Sequence, residues 1–157
     1  MYNPKDNSYA YLGMKLPISS ASIGRTGYML NEPVKYNSNA VISIMTAGNS
    51  NLDGTTGTYY DSITGSGSGT LVTRISIKAQ GTTSRGMVRV FFKAGASVWL
   101  MREVEVPAIA QAATAQTFIA AIADPFYLKP SYLLRFSTEK SETIIVTVEG
   151  LNISYPF

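Results

Sequence analysis

The stretch TIIVTVEG, Thr143 to Gly150, decides the fold class. Ile144, Val146 and Val148 alternate with Ile145, Thr147 and Glu149, a period of two that puts one apolar row on one side of an extended chain. β-branched residues fill it, and such side chains fit a pleated, half-buried surface. The segment is therefore expected to be a strand with its even-numbered apolar residues inward.

The same pattern spreads outward from it. SYLLRFS (131–137) places Tyr132, Leu134 and Phe136 on one face, and GMVRVFFK (86–93) sets Val88, Val90 and Phe92 against Met87, Arg89, Phe91 and Lys93. In TLVTRISIKA (70–79), Leu71, Thr73, Ile75 and Ile77 oppose Val72, Arg74, Ser76 and Lys78. SVWLMREVEV (97–106) is less regular, because Val98, Leu100, Val104 and Val106 share a face with Arg102; a bulge near Arg102 would reconcile its halves. NAVISIMTA (39–47) and GTYYDSI (57–63) read as two earlier strands. Strands with one wet face each argue for antiparallel sheets.

AIAQAATAQTFIAAIADPFYL (108–128) is rich in alanine, which favours helix, yet Thr117, Ile119 and Ala121 alternate with Phe118, Ala120 and Ile122 before Pro125. The reading is a loop to about residue 115 and then a strand. About eight strands with Gly, Ser, Thr and Asn turns give an all-β expectation: an antiparallel β-sandwich of jelly-roll type spanning residues 39–157. Residues 1–38 hold Pro4, Pro17 and Pro33, five tyrosines and the run PISSASIGRTG, with poor alternation. They read as an extended N-terminal arm, with at most a short strand around Tyr9 to Met14.

Composition narrows the chemistry. The chain of 157 residues is 45% hydrophobic and only 15% charged, with 13 basic and 10 acidic residues in no run of like sign. A dedicated nucleic-acid binder concentrates its basic residues, so no direct nucleic-acid contact is expected. No stretch has the apolar length of a membrane helix, and no secretory signal pattern opens the chain. The absence of histidine and cysteine removes the usual general base, thiol chemistry and most zinc ligands.

The remaining motifs are weak. GTTSRG (81–86) has two glycines at P-loop spacing, but Met87 and Val88 follow where a lysine and a hydroxyl residue are required. It reads as a hairpin turn, which would make Arg74, Lys78, Arg89 and Lys93 neighbours on adjacent strands, with Glu103 and Glu105 as local acidic partners. TGSGSGT (64–70) reads as a flexible turn. Glu103 and Glu105 form the one close carboxylate pair, and an outward solvated face accounts for it better than glycosidic chemistry. Asn49, Asn51 and Asp53 offer oxygens in a glycine-containing loop but lack a calcium-loop pattern. Trp99, Tyr59, Tyr60, Tyr127 and Tyr132 could make a sugar platform or simply fill core and contacts. No catalytic, cofactor or metal residue is assigned.

From Asp53 to Gly150 the motifs DGTTGTYY, VTRISIKAQGTTSRGMVRVFF, REVEVPA and SYLLRFSTEKSETIIVTVEG resemble small virion structural proteins of tailed bacteriophages, of the capsid-associated or decoration type, those of crAss-like phages among them. The resemblance lies in strand and turn patterns and implies no active-site residue. It implies a non-enzymatic auxiliary capsid protein, located in the virion after assembly in the host cytoplasm. Its expected partners are capsid or other virion proteins and further copies of itself. The alternatives are a tail- or fibre-associated carbohydrate- or receptor-binding module, which needs Trp99 and several tyrosines exposed in one patch, and a hydrolase, which needs Glu103 in a concave acidic pocket.

Overall fold

The computed structural model describes residues 2–3, 8–11, 14–17 and 35–154. Two units are described separately: residues 1–34 with 155–157, and residues 35–154.

In the first unit, β1 (Tyr2–Asn3), β2 (Ser8–Tyr11) and β3 (Met14–Pro17) form a small antiparallel sheet in that order, where a single strand around Tyr9 to Met14 was expected. The rest of the expected arm up to Val34, and the side chains of this unit, lie outside the described residues.

The second unit holds two antiparallel sheets. The first contains β4 (Lys35–Met45), β6 (Thr70–Ala79), β9 (Ile119–Ile122), β10 (Phe126–Leu128) and β12 (Ile144–Ser154). β12 lies between β4 and β6, while β9 and β10 share the far edge of β6, at Ile75–Lys78 and at Thr70–Val72. The second sheet runs β5 (Tyr60–Thr64), β11 (Leu133–Thr138), β7 (Gly86–Ala94), β8 (Ser97–Val106). Only the β7–β8 and β9–β10 connections stay within one sheet; every other connection from β4 onward crosses between them. Among the described residues there is no helix.

The core is one cluster drawn from both sheets, including Met45, Ile75, Ile77, Val88, Val90, Leu134, Phe136, Ile144, Val146 and Val148. Each of these side chains is essentially sealed from water, and burying one fully is worth roughly 1.5–3 kcal/mol. The inward faces read from 131–137 and 143–150 are the ones observed, as is Val88, Val90 and Phe92 for β7.

Four readings change. β4 begins at Lys35, so residues 35–38 belong to the sandwich, paired with Ser154 to Leu151, and not to the arm. The region from 108 to 128 supplies two strands, because Pro125 interrupts it and both pieces still find the edge of β6. In β6, Thr73 is an extra residue in the pairing with β12: Arg74 faces Glu149 but Val72 faces Gly150. The bulge reverses the inside and outside positions, so Val72, not Leu71, is buried beside Ile75 and Ile77. In β8, Met101 is bulged between Leu100, opposite Phe91, and Arg102, opposite Val90. This is the bulge expected near Arg102, and it separates Val98 and Leu100 from the face that holds Val104 and Val106.

The fourth correction concerns GTTSRG. It joins β6 of one sheet to β7 of the other and is a crossover, not a hairpin turn. Thr83 anchors it, exchanging backbone hydrogen bonds with Ile109 at 2.9 and 3.0 Å and donating its hydroxyl to the Pro107 carbonyl at 2.7 Å. Arg74 and Lys78 are accordingly on a different sheet from Arg89 and Lys93.

Candidate functional site

The polar candidates are best understood from β7, whose two faces are both covered. Arg89 and Phe91 point away from the core yet are buried, because the loop 46–59 lies over them. Tyr59 meets Phe91 edge to face with ring centroids 5.4 Å apart, and the Arg135 guanidinium sits 5.5 Å from the Tyr59 ring centre. Arg135 also donates to the Gly54 carbonyl at 3.0 Å and, by two nitrogens, to Asp61. Arg89 donates to Glu103 at 2.9 Å and to the Asn49 carbonyl at 3.3 Å. Two arginines therefore hold the loop down at either end of its path.

Within the loop the oxygen donors are engaged. Asn49, 5% exposed, donates to the carbonyls of Thr56 and Thr58 at 3.1 and 3.0 Å and accepts from the Asn51 backbone at 3.0 Å. Asp53 accepts from the backbone N–H groups of Thr55 and Thr56, both at 2.9 Å, from the Thr56 hydroxyl and from Tyr59 Oη at 3.1 Å. Those donors, the Thr56 hydroxyl foremost, hold its carboxyl well below the usual carboxylate range. Burial raises the Tyr59 phenol, and its bond to Asp53 adds to that. Two glycines make the path possible: Gly54 at φ +73°, where a Cβ would lie 2.2 Å from Val98 Cγ1, and Gly57 at φ +95°, where it would lie 2.8 Å from the Asn49 amide. The oxygens of Asn49, Asn51 and Asp53 thus serve as the scaffold of a polar turn. Among the described residues no group of three or more acidic side chains is placed to hold a metal.

The carboxylate pair resolves into two ion pairs. Glu103 meets Arg89, and Glu105 meets Arg85 at 2.9 Å, both on the outward side of β8. Asp61 sits between Arg135 and Lys93, the latter at 3.9 Å, and the Arg135 hydrogen bonds pull its carboxyl below its ordinary value. Neither glutamate lines the shallow depression of about 430 Å³ over Asn39, Ala40, Thr73, Glu149 and Gly150.

The aromatic set is divided. Tyr59 is under Arg135, and the Tyr60 hydroxyl accepts from the backbone N–H groups of Thr46 and Ala47 at 3.0 and 2.9 Å. Tyr132 packs against the core beneath Lys129. Trp99 is half exposed on β8, on the same side of its sheet as its partner Phe92. Tyr127, equally exposed, turns away from the core between the inward Phe126 and Leu128, its hydroxyl donating to the Ser68 carbonyl at 3.0 Å. No single platform contains them.

What sequence reading missed is the outer face of the first sheet. Register sets Ile44 beside Ile145, Lys78 and Ile119 across four strands, with Ile42, Thr147, Ser76 and Ala121 as the next row. Ile42, Ile44 and Ile119 are 65%, 54% and 51% exposed. The signal was present in NAVISIMTA, where the outward positions 42 and 44 are isoleucine like a core row instead of polar. Three exposed isoleucines on one sheet face are the kind of apolar area that monomeric surfaces keep small.

No family model matches the chain, and no curated protein matches it.

Proposed function

We propose that the protein is a non-enzymatic structural component of a tailed-phage virion, an auxiliary or decoration protein that binds the capsid, with its two sheets wound in jelly-roll fashion. The carrying observation is the outer face of the first sheet, where Ile42, Ile44 and Ile119 stand exposed around a few polar residues and Lys78. Such a face suits contact with other protein subunits. The acidic candidates support the same reading, being tied to arginines rather than gathered in a cleft. Capsid or other virion proteins and further copies of the chain are the partners, the virion is the location, and neither nucleic acid nor membrane is contacted. Residues 1–34 dock on neighbouring subunits.

Immunogold labelling of purified particles with antibody to the recombinant protein tests this. Label distributed over the head is expected. Label confined to tail fibres, together with glycan binding lost in Trp99→Ala, would replace the reading with a receptor-binding module. Absence from the particle by mass spectrometry would overturn both.

A further inference from the structure

A sheet edge is a template for another strand unless it is blunted by shortness, charge, proline or a bulge. Three of the four edges of this sandwich are blunted. β5 is five residues long and carries Asp61. The β6 flank is closed by β9 and β10, of four and three residues, with Asp124 and Pro125 between them. β8 is bulged at Met101 and exposes Arg102, Glu103 and Glu105.

The fourth edge has none of these devices. β4 runs eleven residues, KYNSNAVISIM, pairs with β12 without a register shift, and holds no proline and no charge but Lys35 at its first position. Among the described residues no strand takes its other side. We propose that this side is where a second copy of the chain adds its own β4, antiparallel across a two-fold axis, making one continuous sheet through both molecules.

Length and charge select that occupant. An uninterrupted eleven-residue edge is matched by a strand of equal length, and the other strand that long, β12, is already paired on both sides. Full overlap of residues 35–45 with their copies puts Ala40 opposite Ala40, Tyr36 opposite Ile44, Ser38 opposite Ile42 and Lys35 opposite Met45. No like charges meet, and the exposed Tyr36 and Ile44 cover one another. The outer apolar faces of the two copies then lie side by side on one surface. This deepens the homo-oligomer part of the proposed function and rests on that part alone, so its test needs no phage component.

The chain has no cysteine, which makes a single introduced thiol a clean reporter. In the full chain, Ala40→Cys places two thiols on directly opposed residues, with Cβ atoms about 4.5–5.5 Å apart. Ile44→Cys places them about 27 Å apart along the strands. Mild oxidation should give a covalent dimer with the first variant and none with the second. By sedimentation the unmodified protein should be a dimer. Ala40→Lys and Ala40→Glu should each be monomeric, because like charges would face each other, and an equal mixture of the two should recover the dimer. A monomeric unmodified protein, a dimer that persists in Ala40→Lys, or equal crosslinking at positions 40 and 44 would each overturn the inference. Absence of the protein from purified particles with the dimer intact would instead sink only the virion reading.

Discussion

Replacing Val146 by aspartate should unfold the sandwich, while the same change at Thr147 should be tolerated. Val146 is fully buried at the middle of the first sheet, opposite Ser43 on β4 and Ile77 on β6, and it packs into the cluster shared with the second sheet. Val146→Asp removes an apolar burial worth roughly 1.5–3 kcal/mol. It also buries a carboxyl group with no arginine or N–H turned toward it, at a cost of several kcal/mol more whether the group ionises or is protonated. The sum is comparable with the whole ~5–15 kcal/mol that holds a domain of this kind together. Val146→Ala, losing two methyl groups at about 0.8 kcal/mol each plus a small cavity term, should cost about 2 kcal/mol and stay folded. Thr147 is half-buried on the outer face between Ile42 and Ser76, where aspartate keeps its water. Urea titration followed by circular dichroism separates the three variants. Equal midpoints for Val146→Asp and Thr147→Asp would refute the assignment of faces.

Gly57→Ala should destabilise the 46–59 loop by about 1–3 kcal/mol, since an alanine at φ +95° is strained and its Cβ would strike the Asn49 side-chain amide; faster hydrogen exchange at the Asn49 backbone N–H, which donates to the Thr138 carbonyl, would report it. Asp53 and Asp61 both have folded-state pKa values below the unfolded value near 3.9, so their contribution is complete above that pH and is lost as pH falls toward the folded values. Melting temperature should therefore fall below about pH 4, and Asp61→Asn should flatten that limb of the profile. Deleting residues 1–34 should leave a folded sandwich that has lost capsid association; a truncated protein that fails to fold would place the segment in the core, and unchanged association would clear it of any binding role.

How far the sequence could be read depended on how local each decision was. β12 was legible because it is central, unbulged and wet on one face, so alternation alone fixes its inward row. Leu71 and Val72 were misassigned because the bulge at Thr73 shifts phase inside one strand, and an average over ten residues cannot register a slip of one. Phe91 looked outward by phase and is outward, but it is buried by a loop that starts after a strand of the other sheet. GTTSRG failed for the same reason: which sheet receives the strand after a turn is decided by distant partners, here β11 and β8 for β7. Of the site candidates, the pairing of Glu103 and Glu105 with arginines could be anticipated from strand order. The engagement of Asn49 and Asp53 with their own loop's backbone could not, since it depends on the two left-handed glycines.

The position of β12 also constrains how the molecule is made. Ile144–Ser154 is the last described strand in the chain and the middle one of the first sheet, with β4 on one side and β6 on the other. Until it leaves the ribosome, those two strands have nothing between them, and Met45, Ile75 and Ile77 lack the Ile144, Val146 and Val148 row that completes their layer. The first sheet closes only after its last strand is synthesised, by contacts between residues about a hundred positions apart, the kind that form slowly. For that interval the inward apolar residues of β4 and β6 lack their cover, and transiently exposed apolar strand surface of this kind is prone to aggregate.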